Sequence, residues 1–219
     1  MNEKIAIYTC ITGGYDTPTD NFEHKDGYDY ILFSDTPINT KSWNNFIVTF
    51  NTGTLSTVKQ QRFIKTHPHH VLKNYDVVVW VDANTSIDDK LYKYIEENKD
   101  NTITFKKHPD RDCIYDEIKE VVLRGKEERV IGEAIYNRYE REKFPKHYGL
   151  YETNVIISHP NNKDVQNLFE RWWVEIYNNS HRDQLSLNYV VWKYGFENII
   201  SETNSKDFKP KFHIKCRKK

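Results

Sequence analysis

Asp76-Val77-Val78-Val79-Trp80-Val81-Asp82-Ala83-Asn84 is the stretch that decides the fold. An unbroken β-branched and aromatic run ends abruptly in an acid, a small residue and an amide. Such a run has no polar face, so both its faces must be covered, as on an inner strand of a parallel sheet. Sheets of that kind take their ligands outside the carboxyl ends of the strands. Asp82 stands at that end, with Asn84 just beyond. Two oxygen donors flanking one small residue suit a hard divalent cation such as Mg²⁺ or Mn²⁺. An acid after a strand also serves as a turn former or helix N-cap, and the stretch alone leaves both roles open.

Working outward, Lys4 to Cys10 reads as a first buried strand, followed by Ile11-Thr12-Gly13-Gly14-Tyr15-Asp16. The paired glycines allow either an ordinary turn or a loop that approaches a ligand closely. Tyr28 to Ser34 reads as a second strand ending in Asp35, and residues 46–50 as a short third one. An acid at the position of Asp35 commonly bonds a ribose or base in nucleotide-binding α/β folds. Thr57 to Thr66 predicts a helix stopped by Pro68, with Lys59, Arg62 and Lys65 fanned along one side. That trio is a solvated face in isolation and a phosphate clamp beside a diphosphate. His67-Pro68-His69-His70 reads as a helix end rather than a metal cluster, because Pro breaks the periodicity and His favours the C-terminal dipole.

Beyond Asp82, residues 91–95 predict a short amphipathic helix and 102–106 a strand. Lys107 to Cys113 forms a dense polar loop. Ile114, Ile118, Val121 and Val122 show helical spacing, as do Val130, Ile131, Ala134 and Ile135. This pair reads as an insertion or lid flanking the sheet. Residues 150–158 predict a strand with a polar start. Val165, Leu168, Phe169, Trp172 and Ile176 form the cleanest helical stripe, more suited to core than to a ligand platform. Asp183 and Gln184 open a last helix, closed by Gly195.

Strands alternating with helices imply an α/β sheet, and no Pro/Gly/Ser-rich run or repeat divides the 219 residues, so the chain reads as one domain. Lysines plus arginines equal aspartates plus glutamates at 32 each. That balance argues against nucleic acid as a partner, which requires a basic excess. Cys10, Cys113 and Cys216 are scattered, which suits a reducing compartment without disulfides. No apolar run approaches the roughly 20 residues of a membrane span. With no signal peptide read at Met1, the expectation is a cytoplasmic protein. The stretch from Lys206 onward is basic and contains His213.

Polar groups thus gather at strand ends: Thr12 and Tyr15, Asp35, Asp82 with Asn84, and His213 from the tail. Nucleotide-type acids, a cation site and a basic helix side belong together when the substrate is a nucleoside diphosphate. On this pattern the chain resembles the GT-A type glycosyltransferases. Asp82-Ala83-Asn84 stands where that superfamily carries its Asp-x-Asp metal motif. The nearer resemblance is to a little-studied branch formerly filed as a domain of unknown function, found in plants, bacteria and large algal viruses. It rests on Ile7-Tyr8-Thr9-Cys10-Ile11-Thr12-Gly13-Gly14-Tyr15-Asp16, Tyr30-Ile31-Leu32-Phe33-Ser34-Asp35, Arg62 and Lys65 with Pro68-His69, Trp80 to Asn84, Lys107 to Tyr115, and Arg182-Asp183-Gln184-Leu185-Ser186-Leu187. These pieces span most of the chain in order.

The resemblance implies a single GT-A-like, Rossmann-like α/β domain over 1–219. A central, mostly parallel mixed sheet would be flanked by helices, with a nucleotide-binding half (1–100) and an acceptor-side half (101–219). It implies transfer of a sugar from a nucleoside-diphosphate sugar, UDP-sugar first, to a glycan or other hydroxyl acceptor, with Mn²⁺ or Mg²⁺. Asp82, Asn84 and His213 would hold the metal. Thr9, Thr12, Tyr15 and Asp35 would hold base and ribose, and Arg62 and Lys65 the phosphates. Asp183 resembles the acid near the anomeric carbon, although its residue type and place also suit an N-cap. His108, Arg111, Glu152, Thr153 and Asn154 would line the acceptor side. Asn84 replaces the family's usual second acid, a weaker ligand. Two rival readings share the same strand-end acid: a metal-dependent hydrolase of phosphate esters or nucleotide sugars, and a non-catalytic nucleotide-sugar binding domain.

Overall fold

The computed structural model describes residues 3–49 and 55–204. Val77–Val81, the run quoted above, is a fully buried strand. It lies at the middle of a seven-stranded sheet. In chain order the strands are β1 (Ile5–Ile11), β2 (Tyr28–Ser34), β3 (Asn44–Ile47), β4 (Val77–Val81), β5 (Ile103–Lys107), β6 (Tyr151–Ser158) and β7 (Ile200–Thr203). Across the sheet they run β3-β2-β1-β4-β6-β5-β7. All neighbours are parallel except where β6 pairs antiparallel with β4 and β5. The carboxyl ends of six strands and the amino end of β6 therefore share one edge.

The helices are α1 (Thr57–Thr66), α2 (Pro68–Val71), α3 (Asp89–Asn98), α4 (Ile114–Leu123), α5 (Arg129–Arg141), α6 (Lys163–Asn178) and α7 (Leu187–Tyr194). Their ends follow local chemistry. The Ser56 hydroxyl accepts from Lys59 N at the start of α1, Asp88 accepts from Lys90 N and Leu91 N at α3, and Asn162 caps α6. Pro68, lacking an N–H, cannot continue α1 and opens α2 at its first turn. Gly195 closes α7 at φ 71°.

Strand alternation divides the core in two. Val77, Val79 and Val81 join Ile5, Ile7 and Ile11 against Leu91 and Ile95 of α3. Val78 and Trp80 join Ala6, Tyr8 and Cys10 on the other face, against Ile64 of α1, the Val165, Leu168, Phe169, Trp172 and Ile176 stripe of α6, and α7. Continuing the period, Asp82 belongs to the face of Trp80, towards α1.

Two expectations change. The α4–α5 pair is not a lid: Ile114, Ile118, Val121, Ile135 and Tyr139 belong to the larger core. Moreover, α5 buries Gly132, Ile135 and Tyr139 and leaves Val130 and Ala134 exposed. The tight approach of α5 to α4 requires glycine there, since a Cβ on Gly132 would lie 2.5 Å from Val122 Cγ2. The third strand is shorter and earlier than predicted, at Asn44–Ile47, and residue 50 of that prediction lies outside the described residues. So do His213 and Cys216. Cys10 and Cys113 are buried free thiols. Among the described residues, no helix is long and apolar enough to cross a membrane.

Candidate active site

Asp82 follows the last residue of β4 and is tied to β6 by its N–H, which donates to Asn154 O at 2.9 Å. Asp82-Ala83-Asn84-Thr85 closes as a turn through Thr85 N to Asp82 O, 2.8 Å. The turn lifts Asn84 out beside Asp82 at the sheet edge, and both side chains are partly exposed. Trp80, two residues back on the same face, donates its Nε1–H to Asp82 Oδ1 at 2.9 Å. Lys65 Nζ stands 3.7 Å from that same oxygen. Among the described residues, none donates a hydrogen bond to Oδ2. One carboxylate oxygen is thus fixed by the protein, while the side chain remains 40% exposed.

Behind Asp82 lies a buried ion cluster. The Lys65 side chain is 1% exposed, boxed between Trp80 and Trp172 with Nζ 5.2 and 6.0 Å from the ring centroids. Its ammonium donates to Asp183 Oδ2 at 2.5 Å. Arg62 Nε lies 3.6 Å from the same oxygen and donates to His181 O at 3.2 Å. The Asp183 carbonyl accepts from Trp172 Nε1, and its Oδ1 accepts from Gln184 N. Burial pushes the Asp183 pKa up, but Arg62, then Lys65, then Arg182 outweigh it and hold the carboxyl well below the usual range. Burial in turn pulls the Lys65 pKa down against the opposing pull of Asp183 and Asp82.

This cluster departs from the roles that the resemblance implied. Asp183 is 5% exposed and ion-paired, so it is an internal counter-ion rather than an acid open to a sugar. Nor does it cap α7, since it sits in a short turn, Asp183–Leu185, ahead of that helix. The Lys65 charge is turned inside the protein towards two carboxylates, so of these two cations Arg62, whose side chain is 21% exposed, is the one open to an outside phosphate.

The loop after β1 sits beside this cluster. Gly13 N donates to Asp35 Oδ2 at 2.7 Å, and Thr12 Oγ1 donates to Thr57 O at 2.6 Å. Asp35 and the first turn of α1 therefore fix the glycine loop. Gly13 has φ +65°, and a Cβ there would meet Thr57 Cγ2 at 2.8 Å. Gly13→Ala is expected to lower stability by about 1–3 kcal/mol through backbone strain and that clash; an unchanged urea midpoint would contradict this. Tyr15 at the loop tip is largely exposed. Thr9 is fully buried between the core positions Ile7 and Ile11, and its hydroxyl has no partner among the described residues.

On the other side of Asp82, β5 and β6 bring the expected acceptor-side residues to the same edge. Lys106 Nζ pairs with Glu152 at 2.9 Å. His108 N donates to Leu150 O, and His108 Nδ1 accepts from Asp110 N and Arg111 N. Burial and then Arg111 lower the His108 pKa. Arg111 Nε donates to the buried Glu117 at 2.5 Å. Thr153 is buried, and Asn154 joins Asp82 through the backbone.

Trp80 and Trp172, which position Asp82 and Asp183, were read from sequence only as core. The one available signal was that Trp80 precedes Asp82 by two, which places both side chains on one face of a strand.

A mixed α/β sheet with an acid-turn-amide at the carboxyl end of its central strand is a GT-A-like arrangement. Residues 43–214 match the family described as TOD1/MUCI70, glycosyltransferase-like domain. The chain belongs to this TOD1/MUCI70 glycosyltransferase-like family. No curated protein sequence matches it. Among solved structures it is similar to the WbbM bifunctional glycosyltransferase in its apo form, with a TM-score of 0.52 at 12% identity. That match covers 98% of this chain and 43% of the WbbM chain, so the likeness is one of fold over less than half of the larger protein.

Proposed function

We propose that this protein transfers a sugar from a nucleoside-diphosphate sugar, a UDP-sugar first, to a glycan or other hydroxyl acceptor with the help of Mn²⁺ or Mg²⁺. The observation that carries the reading is the Asp82–Asn84 turn: a partly exposed carboxylate held, among the described residues, on one oxygen only, at the end of the central strand, in a chain of the glycosyltransferase-like family. Two oxygen donors in one partly exposed turn fit a hard cation. Asp82 and Asn84 would hold it, joined by His213 from beyond the described residues. When bound, the ion neutralises charge that develops on the leaving diphosphate.

The chain's own groups divide the remaining work. Arg62, at the exposed end of the buried cluster, faces the diphosphate as a preorganised cation. Lys65 and Asp183 keep Asp82 and Arg62 in place. The loop from Thr12 to Tyr15, with Asp35, would receive base and ribose, while the buried Thr9 supports it from within. His108, Arg111, Glu152, Thr153 and Asn154 would bound the acceptor side. The transition state of glycosyl transfer carries positive charge on the sugar. A carboxylate held far below its ordinary pKa is a weak general base, and Asp183 is buried and ion-paired, so its work is to hold Lys65 and Arg62 rather than to accept a proton. The test is sugar transfer with a panel of nucleotide sugars and acceptors, scored against hydrolysis: transfer supports the reading, and hydrolysis alone moves it to the metal-dependent hydrolase.

The amide at position 84 makes a sharper expectation. Asn84→Asp supplies a second anionic ligand, so the Mn²⁺ concentration for half-maximal activity should fall about tenfold, the effect of roughly 1.4 kcal/mol. An unchanged or raised requirement would remove Asn84 from the metal site.

A further inference from the structure

The His67-Pro68-His69-His70 segment, read from sequence as a helix end, is one: His67 caps α1. Pro68 ends α1 and starts the single turn of α2. This turn gathers all three imidazoles around one carboxylate, Glu170, from the middle of α6. His69 Nε2 lies 3.0 Å from Glu170 Oε1, His70 Nε2 lies 3.9 Å from the same oxygen, and His67 Nε2 lies 3.6 Å from Oε2. The ligand atoms of His69, His70 and Glu170 all fall within 4.8 Å of one another. In a tetrahedral zinc site with bonds of about 2.0–2.1 Å, ligand atoms stand roughly 3.3 Å apart. The spacing here brackets that value.

The orientation of His67 adds an independent argument. Its ring is buried, stacks on Phe63 at 3.9 Å between centroids, and bonds the Phe63 carbonyl through Nδ1 at 2.8 Å. Nδ1 also lies 3.0 Å from Thr66 Oγ1, whose own hydrogen goes to Arg62 O at 2.9 Å, so the arrangement suits a hydrogen on Nδ1 donated to the Phe63 carbonyl. In the neutral ring, Nε2 is then a bare lone pair facing a carboxylate oxygen. A lone pair 3.6 Å from a carboxylate oxygen is an arrangement that a proton or a metal ion can bridge, and an Nδ1–H···O=C bond is the usual support behind a metal-bound imidazole. Three imidazoles and one carboxylate favour zinc-class ions over the Mg²⁺ and Mn²⁺ that an all-oxygen turn takes.

We propose that His69, His70 and Glu170, with His67 beside them, form a binding site for one divalent transition-metal ion of the zinc class, separate from the Asp82 turn. Its ligands join α2 to α6 and include no group of the Asp82 turn, so the role assigned to the site is structural. It clamps the end of α1 to α6, and so fixes the helix that carries Arg62 and Lys65.

The experiment strips the full chain with chelator and titrates it with Zn²⁺ by calorimetry, alongside Co²⁺ titrations read by visible absorption. The variants are His70→Ala and Glu170→Gln, both at partly exposed side chains, and Asp82→Ala as control. The expected result is one equivalent of Zn²⁺ in the wild type and in Asp82→Ala, with the intense visible bands of tetrahedral Co²⁺. Affinity should fall about tenfold or more in His70→Ala and Glu170→Gln, while their metal-free melting curves match the metal-free wild type. Absence of zinc binding, unchanged affinity in both ligand variants, or loss of the zinc equivalent in Asp82→Ala would overturn the proposal.

Discussion

Asp183→Asn should lower the unfolding free energy by about 3–5 kcal/mol, the usual cost of breaking a buried ion pair from one side. The variant strands the fully buried Lys65 ammonium with only Asp82, 3.7 Å away, and leaves Arg62 Nε without its carboxylate. For a chain of this size the melting temperature should drop by roughly 10 °C. The double variant Lys65→Met, Asp183→Leu should recover much of that loss, because it removes both charges together. The pH dependence follows from the depressed pKa of Asp183. A carboxyl whose pKa is lowered by folding contributes stability above its unfolded pKa of about 4 and loses it as pH falls further towards the folded value. Wild-type stability should therefore fall more steeply below pH 4 than that of Asp183→Asn. Equal melting temperatures at pH 7 would show that the cluster does not hold the site together.

Asp82→Ala should behave in the opposite way, costing activity rather than stability. Its side chain is partly exposed, and folding loses only the Trp80 bond and the more distant of Lys65's two counter-ions, about 1 kcal/mol. Turnover should fall by about 10²–10³, the typical cost of one preorganised group that acts on developing charge. Steady-state kinetics on the best donor, with melting curves on the same preparation, separate the two outcomes. Near-normal turnover in a well-folded Asp82→Ala would show that the strand-end turn is not the reaction centre.

The contrast between these two acids marks what the sequence could show. The run at 77–81 has no polar face, so its place inside a parallel sheet, and Asp82 at its open end, follow from local pattern alone. α1 was legible for the same reason: its bounds, Thr57–Thr66, are set by a Ser before it and a Pro after it. Asp183 was not. Its partners Lys65 and Arg62 lie more than a hundred residues away in sequence, and no spacing rule links them. A basic side of α1 looks the same in sequence whether it faces a phosphate or a buried carboxylate. The α5 face was misjudged because Val130 and Ala134 match the apolar period while Gly132 and Tyr139 do the packing. The histidines at 67, 69 and 70 read as a broken helix end for a related reason: Glu170, which they surround, comes from another helix. Strand-end chemistry is local and visible, whereas charge networks across elements appear only once the fold brings them together.

The central claim is that the Asp82–Asn84 turn receives a nucleoside diphosphate with a divalent cation. A thermal-shift titration with UDP, GDP, CDP and dTDP, each with and without Mn²⁺, tests it most directly. A ligand at about 100 times its dissociation constant adds roughly 2.7 kcal/mol to stability. A clear shift with UDP that requires Mn²⁺ and vanishes in Asp82→Ala is the expected result. No shift with any of the four nucleotides, or a shift that survives in Asp82→Ala, would contradict it.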